Sequence, residues 1–289
     1  MTIYILEHKK NEKKLIDELK TELKINNFDF LEINQENILF DFWRGKLFIK
    51  NKELKINKND YFFARGYGEN KYAASVLALF LNSLKIRHSF NFFQHLAKRT
   101  SKYFQAWYFF DNNIQRPKTF VGSEKAIFDN YKTIKDFLGT EFVLKGNGSK
   151  GEMVFLVKNK KQLMEKILKI PENKKEMLVV QEKVDSDFDI RLLFFKNKLL
   201  GGMKRFSDNF LNNFNQGGKV EKYIPNKEEL KTAKKAIKKF GMDYIAVDLM
   251  YKNKKPVIIE IQVGPWTHGL RKANDNFNLG KEIVKIMKK

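Results

Sequence analysis

Two apolar runs near the carboxyl terminus, Tyr244–Tyr251 and Pro256–Gln262, constrain the fold of this chain most. Both runs are rich in β-branched residues, and the polar segment Lys252–Lys255 separates them. Short apolar runs that flank a polar turn are typical of a β-hairpin. The sequence therefore predicts a hairpin over this stretch.

Acidic side chains interrupt both runs. Asp248 lies between Val247 and Leu249, and Glu260 shares one face of its strand with Gln262 because side chains alternate across a strand. Burying two unpaired carboxylates is costly, and a bound divalent cation would remove the cost. Carboxylate and amide oxygens suit Mg²⁺, which takes further ligands from water and phosphates. A half-exposed hairpin whose acids face water is the alternative, and this stretch alone leaves both interpretations open.

Composition narrows the classes of function. The 289 residues carry a net charge of +22, which invites a nucleic-acid partner, but the lysines extend from Lys9 to Lys289 without a dense run. We interpret this pattern as a general lysine bias that covers solvated faces, and expect no nucleic-acid partner. The absence of cysteine excludes disulfides, a thiolate nucleophile and a cysteine-based zinc site. Without an apolar run of about 18 residues or a basic-then-apolar leader, we expect a cytoplasmic protein with no membrane partner.

The first part of the chain, residues 1–96, is predicted to be a small α/β domain. Leucines at a four-residue spacing over Asn11–Lys24 predict an amphipathic helix. Arg65 and Gly66 end a predicted strand and either contact a substrate or form a simple turn. The other predicted elements here are strands Thr2–Leu6, Phe28–Ile33 and Tyr61–Arg65, short strands between Ile38 and Ile56, and helix Tyr72–Leu84.

A glycine-rich loop, GNGSKGE, follows the predicted strand Glu141–Lys145 and precedes a second apolar strand, MVFLV. Glycines permit positive φ and close approach of backbone N–H groups to an anion. The loop lacks the Walker A pattern, and no helix follows it. Because Lys145 ends the strand just before the loop, the hairpin is predicted to hold a phosphate.

The remaining elements follow from periodicity and from breaker residues. The segments around residues 206–219 and 264–269 are predicted to be loops. The predicted helices are Lys98–Phe110, Lys161–Ile170, Lys227–Phe240 and Leu279–Lys289, and the predicted strands are Met177–Gln181, Phe188–Phe195 and Lys198–Lys204, the last two joined at Lys196–Asn197.

Several ordered motifs together resemble the ATP-grasp superfamily, in particular its RimK-like branch of ribosomal-protein glutamate ligases. The resemblance extends from about Thr100 to His268. Four departures stand out: Ser101 in place of Asp, Gly146 in place of Pro, Gln262 in place of Asn, and Trp266 in place of a small residue. The matching motifs are Ser101-Lys102, Pro117-Lys118-Thr119, FVLKGNGSKGEMVFLV, VVQEKV, Asp189-Ile190-Arg191, NNFNQGG, VDL and IEIQ.

The resemblance implies an α/β protein with the ATP-grasp fold and α+β lobes. It implies an N-terminal pre-ATP-grasp domain over residues 1–96, a small lid subdomain with the glycine-rich hairpin over 97–184, and a large subdomain with the metal site over 185–289.

The same resemblance implies ATP and two Mg²⁺ ions as cofactors, with Mn²⁺ as an alternative ion. Arg191 and Arg205 are expected to be catalytic and to face the transferred phosphoryl group and the substrate carboxylate. Glu260 is expected to bridge the two ions, with Asp248 and Gln262 as further metal ligands. The residues expected to bind the nucleotide are Lys102, Lys145, Gly148, Ser149, Gly151, Gln181, Glu182, Lys183, Val184, Asp189 and Asn213.

The implied activity is a carboxylate–amine ligation through an acyl-phosphate, which needs no nucleophile from the enzyme. The expected substrates are an amino acid or other amine and a carboxylate, which an acidic peptide or protein acceptor could supply; the oligomeric state is left open. Two alternatives remain: an ATP-grasp phosphotransferase acting on a small molecule, and a nucleic-acid-binding protein on a degenerate ATP-grasp scaffold.

Overall fold

The structure is a computed structural model of the chain. It describes residues 1–7, 13–34, 37–41, 46–49, 52–65, 71–90, 101–147, 153–175, 177–206, 219–274 and 277–288. None of the helices in these ranges combines the length and the apolar character needed to cross a membrane.

The N-terminal part contains a parallel sheet of four strands in the order β2-β1-β6-β7. Helix α1 connects β1 to β2 and helix α2 connects β6 to β7, so both crossovers follow the βαβ pattern. A small antiparallel sheet of β3, β4 and β5 is inserted before β6. The bounds are β1 Thr2–Glu7, α1 Lys13–Ile25, β2 Asp29–Asn34, β3 Ile38–Asp41, β4 Lys46–Ile49, β5 Lys52–Leu54, β6 Tyr61–Phe63, α2 Lys71–Ser83 and β7 Arg87–His88.

A second, antiparallel sheet has the strand order β10-β9-β11-β8. Its apolar side chains form a core of their own together with those of α4, α5 and α6. Helix α3 precedes this sheet, and a 3₁₀ turn at Glu172–Lys174 leads into β11. The bounds are α3 Lys102–Asp111, β8 Thr119–Gly122, α4 Glu124–Asp129, α5 Tyr131–Leu138, β9 Phe142–Lys145, β10 Val154–Val157, α6 Lys160–Leu168 and β11 Leu178–Glu182.

The third sheet is antiparallel and has the order β14-β13-β12-β15-β16. Two tight turns, at Lys196–Asn197 and Asn253–Lys254, have positive φ at both central residues, the geometry that two-residue hairpins favour. The bounds are β12 Phe188–Phe195, β13 Lys198–Phe206, β14 Lys219–Lys222, α7 Lys227–Ile237, β15 Tyr244–Lys252, β16 Lys255–Val263, α8 His268–Ala273 and α9 Leu279–Met287.

The third sheet and the N-terminal sheet share their apolar cores. Both of the larger clusters of buried side chains combine residues from the two sheets. Helices α1 and α9 pack closely: a Cβ added at Gly280 would lie 2.4 Å from the backbone nitrogen of Leu19. The Tyr61 hydroxyl also donates to Asp243 across 2.6 Å. The third sheet, called the large sheet below, is thereby fixed to the N-terminal sheet. The second sheet, called the lid sheet after the predicted small subdomain, keeps a separate core.

Most predicted elements are confirmed within one to three residues, including the central hairpin. The prediction of a loop over residues 264–269 is wrong at its end, because helix α8 begins at His268. The Thr267 carbonyl accepts from the Arg271 N–H at 2.8 Å and starts the helix. Helices α4 and α5 and strands β7, β8 and β14 were not predicted.

Candidate active site

Charged side chains line one face of the large sheet where three strands meet. Arg191 on β12 lies opposite Asp248 on β15, and Asp248 lies opposite Glu260 on β16. Residues directly opposite one another in neighbouring strands share a face and have Cβ atoms about 5 Å apart. The two acids of the predicted metal hairpin are therefore neighbours, as the hairpin prediction required.

Asp248 is the centre of this row and is only 5% exposed. Arg191 binds it in a bidentate pair, with Nε–Oδ1 and Nη2–Oδ2 distances of 2.7 Å each. Arg205 approaches the same carboxylate, with Nη2 3.0 Å from Oδ2. Burial alone would raise the pKa of Asp248, but the two guanidinium groups hold it at about 2. Asp248 is therefore ionised at neutral pH.

Arg205 also pairs with Asp189, which lies two positions before Arg191 on β12 and on the same face of the sheet. Burial raises the pKa of Asp189 to about 6 despite the attraction of Arg205. Burial would lower the pKa of Arg205, but Asp248 and Asp189 raise it above its ordinary value. The result is an alternating network of two arginines and two carboxylates on one face of the large sheet.

Glu260 faces a lysine from helix α3. The distance from Lys102 Nζ to Glu260 Oε1 is 3.7 Å. Gln105, one turn further along α3, fixes this approach: its side chain donates to the Ile261 carbonyl at 3.0 Å and accepts from the Ile261 N–H at 2.8 Å. The contact between Gln105 and Ile261 was not predicted, although Lys102 and Gln105 have the spacing of residues on one helix face.

The predicted metal ligands fit Mg²⁺ by their chemistry. Gln262 lies opposite Ala246, two positions beyond Glu260 on the same face. With Asp248, whose two oxygens also accept from Arg191 and Arg205, this arrangement offers two carboxylates and one amide oxygen, the hard ligands that Mg²⁺ prefers. Within the described ranges, no three His, Cys, Asp or Glu side chains converge on one point. The remaining ligands would therefore come from water and phosphate oxygens, as is usual for Mg²⁺.

The lid sheet contributes Lys145, at the end of β9. Its ammonium donates to Gln181 Oε1 at 2.6 Å, and Gln181 Nε2 donates to the Thr119 hydroxyl at 3.1 Å. Burial lowers the pKa of Lys145 to about 8; the charge of Glu260 opposes this shift, and that of Lys102 adds to it. Lys145 is therefore within electrostatic reach of the hairpin acids Asp248 and Glu260.

The segment predicted to border adenine continues from β11. The Glu182 carboxylate accepts from Lys252 at 2.6 Å, and Lys183 pairs with Glu141 at 3.0 Å. Both side chains are held in ion pairs, and the Glu182 N–H donates to the Lys118 carbonyl at 2.9 Å. The adenine contacts predicted for this segment stay predictions. Val184 follows in the connection between β11 and β12.

Four of the predicted nucleotide contacts lie outside the described residues: Gly148, Ser149, Gly151 and Asn213. The structure does describe the base of the glycine-rich hairpin. The Gly146 N–H donates to the Met153 carbonyl at 2.8 Å and closes the ladder between β9 and β10. The strands that flank the loop are therefore antiparallel partners, as predicted.

Comparison with known proteins places the chain in a family. Residues 92–287 match the RimK-like ATP-grasp domain. A probable alpha-L-glutamate ligase of Syntrophotalea carbinolica is 27% identical over 146 residues, which is 49% of this chain and 48% of that protein. A second, from Vibrio atlanticus, is 29% identical over 180 residues, 60% and 57% of the two chains. This chain thus spans about half the length of these relatives.

The fold of one solved structure matches that of this chain over nearly its whole length. A RiPP-associated ATP-grasp ligase of Chryseobacterium gregarium, in complex with ADP and a leader and core peptide, has a TM-score of 0.72 at 14% identity. The likeness covers 99% of this chain and 96% of that one, and at this identity it establishes the fold alone. The ATP-grasp fold expected from the sequence is confirmed, and the chain belongs to the RimK-like ATP-grasp family.

Proposed function

We propose that the protein is an ATP-dependent carboxylate–amine ligase that joins an amino acid to a peptide, protein or small acid. The observation that carries the proposal is the convergence of Lys145 and Lys102 on the Asp248–Glu260 pair. Two lysines near two acids form a site for an anion and the metal that accompanies it. Relatives named alpha-L-glutamate ligases make glutamate the first amine to test.

Lys145 and Lys102 hold the ATP phosphates as point charges, and the glycine-rich hairpin covers them. The segment from Gln181 to Val184 borders adenine, with its main chain facing the base. Asp248, Glu260 and Gln262 would hold Mg²⁺, which would neutralise charge on the phosphate oxygens.

The reaction has two steps. An oxygen of the substrate carboxylate attacks the γ-phosphorus, the bond to the β–γ bridging oxygen breaks, and ADP leaves. The amine nitrogen then attacks the acyl carbon of the acyl-phosphate, phosphate leaves, and the nitrogen loses a proton. Neither step needs a covalent bond to the protein, so rate acceleration comes from alignment and charge neutralisation.

The two arginines have different roles because their side chains differ in exposure. The Arg191 side chain is 16% exposed and lies beside Asp248, where it can neutralise charge on the transferred phosphoryl group. The Arg205 side chain is 7% exposed and is held between Asp189 and Asp248, so it acts on the substrate chiefly by orienting those acids.

The test is ADP release measured for glutamate with a panel of acidic peptides, followed by mass spectrometry of the product. ADP and free phosphate should appear only when acid and amine are both present, and the product should gain the mass of one amide-linked glutamate. Phosphate retained on the product would instead identify a phosphotransferase. ADP release that is independent of any amine would contradict the proposal.

A further inference from the structure

Arg65 connects the N-terminal sheet to the end of the candidate metal strand. It follows β6 and is only 4% exposed. Its Nη2 donates to the Gly264 carbonyl at 3.1 Å, and its guanidinium carbon lies 4.6 Å from the centre of the Trp266 ring. These distances are those of a hydrogen bond and of a cation–π contact. Trp266 is thereby held by a side chain from a different part of the chain.

Trp266 lies close in the chain to the proposed metal ligands. Gly264 follows the last residue of β16 and lies two positions beyond Gln262, roughly 7 Å along the strand direction. Arg65 stands at the carboxyl edge of a parallel sheet, the edge at which open α/β sheets bind ligands. The Arg65–Trp266 pair therefore joins this edge to the end of the strand that carries Glu260 and Gln262.

The backbone next to Trp266 is fixed from the other side as well. Thr267 is 1% exposed and starts α8, and its hydroxyl accepts from Arg271 Nε at 3.2 Å. Arg271 in turn binds Glu18 of α1, with an Nη2–Oε2 distance of 2.8 Å. Trp266 nevertheless stays 51% exposed. A large aromatic ring that Arg65 contacts and that is half open to solvent can stack on a flat group of a ligand.

We propose that Trp266 is a specificity-determining residue that stacks on a flat aromatic side chain of the carboxylate substrate, and that Arg65 is the positioning residue that sets the ring. The inference rests on the proposed ligase function, since it deepens the description of that substrate. It predicts a preference for acids with an aromatic ring beside the reacting carboxylate.

A binding experiment tests whether Trp266 stacks on an aromatic ring of the peptide, without requiring catalysis. The double variant W43F/W107F leaves Trp266 as the one tryptophan of the chain. The probes are acetyl-Ala-Phe-Glu, the same peptide with cyclohexylalanine for Phe, and the same peptide with Ala. Cyclohexylalanine keeps the size but removes the flat ring. The Phe peptide should change the Trp266 emission and bind roughly 2- to 10-fold more tightly than the cyclohexylalanine peptide.

Substitutions separate a loss of peptide specificity from a general loss of nucleotide binding. Trp266→Ala should make the three peptides bind alike while ADP affinity, measured by calorimetry, is kept. Arg65→Met should raise the KM for the Phe peptide with the KM for ATP unchanged, and Arg65→Lys, which keeps a cation over the ring, should restore most of the preference. Equal affinity of the three peptides for the W43F/W107F protein, or a Phe preference that survives in Trp266→Ala, would overturn the inference.

The two proposals fail in distinguishable ways. If no peptide and amino acid together release ADP, the ligase proposal fails, while the fluorescence titration still decides whether Trp266 binds an aromatic ring. If ADP is released equally with the Phe and Ala peptides, the ligase proposal stands and the role of Trp266 is refuted.

Discussion

Replacing Lys145 by Met should stabilise the protein and remove nucleotide binding together. Burial lowers the pKa of Lys145 from 10.5 to about 8, which corresponds to roughly 3 kcal/mol against the charged form at neutral pH. Two effects reduce this figure. The side chain keeps some exposed surface, and its hydrogen bond to Gln181, worth about 1 kcal/mol, is lost. We expect a net gain of about 1–2 kcal/mol at pH 7.

The pH dependence of the stability gain shows whether the charge of Lys145 causes it. Between pH 8 and 10.5 the unfolded chain binds more protons at this lysine than the folded chain does, so the contribution of Lys145 to stability rises with pH over that window. The advantage of Lys145→Met should therefore be largest at pH 7 and vanish near pH 10.5.

Urea unfolding at pH 7 and pH 10 measures the stability, and calorimetry with ADP measures binding, which should weaken at least about tenfold for one lost phosphate contact. Lys161→Met, an exposed site on α6, is the matched control and should change stability by less than about 0.5 kcal/mol. A Lys145→Met protein that is less stable than the wild type at pH 7, or that binds ADP normally, would refute the reasoning.

Three further predictions concern stability measured by urea unfolding. Arg205→Met leaves Asp189 and Asp248 buried side by side and should cost about 3–5 kcal/mol; a loss under about 1 kcal/mol would show that the network relaxes. Gly202→Ala places a Cβ 2.7 Å from a backbone carbonyl oxygen and should cost about 2–3 kcal/mol, whereas Gly201→Ala on the opposite face meets nothing closer than 3.5 Å and should be nearly neutral. Equal losses would contradict the stated contacts. Burial lowers the pKa of His88 to about 4, so about 3 kcal/mol of stability should be lost between pH 6.5 and pH 4, and His88→Leu should flatten that slope. An unchanged slope would assign the loss to other groups.

The central hairpin could be predicted because its signal is local. Alternation of side chains places Glu260 and Gln262 on one face, and the polar segment between the runs forms the turn. The register is less accessible, since a bulge between Asp248 and Leu249 shifts the pairing. That Asp248 and Glu260 lie opposite one another therefore required the structure.

The partners of the site residues could not be predicted, because they come from distant parts of the chain. Asp248 is bound by two arginines from neighbouring strands. The carboxylate of Glu182 is held by Lys252, which is 70 residues away. Nothing in the local sequence separates an acid held in this way from one that faces a ligand.

Short helices escaped prediction for a different reason. Helices α4 and α5 have six and eight residues, too few for a clear period. Ser123 does cap α4, its side chain accepting from the Ala126 N–H, which is a signal that the sequence contains. The division of the chain into three domains and the individual roles of the site residues stay predictions.

The most direct test of the account is ADP formation by Glu260→Gln, with glutamate and an acidic peptide as substrates. This change keeps the size of the side chain and removes the charge that faces Lys102 at 3.7 Å and acts on Lys145. The account predicts a loss of at least about 100-fold in ADP formation, with unfolding by urea little changed. Wild-type rates of ADP formation in Glu260→Gln would show that the hairpin acids are not the site of the reaction.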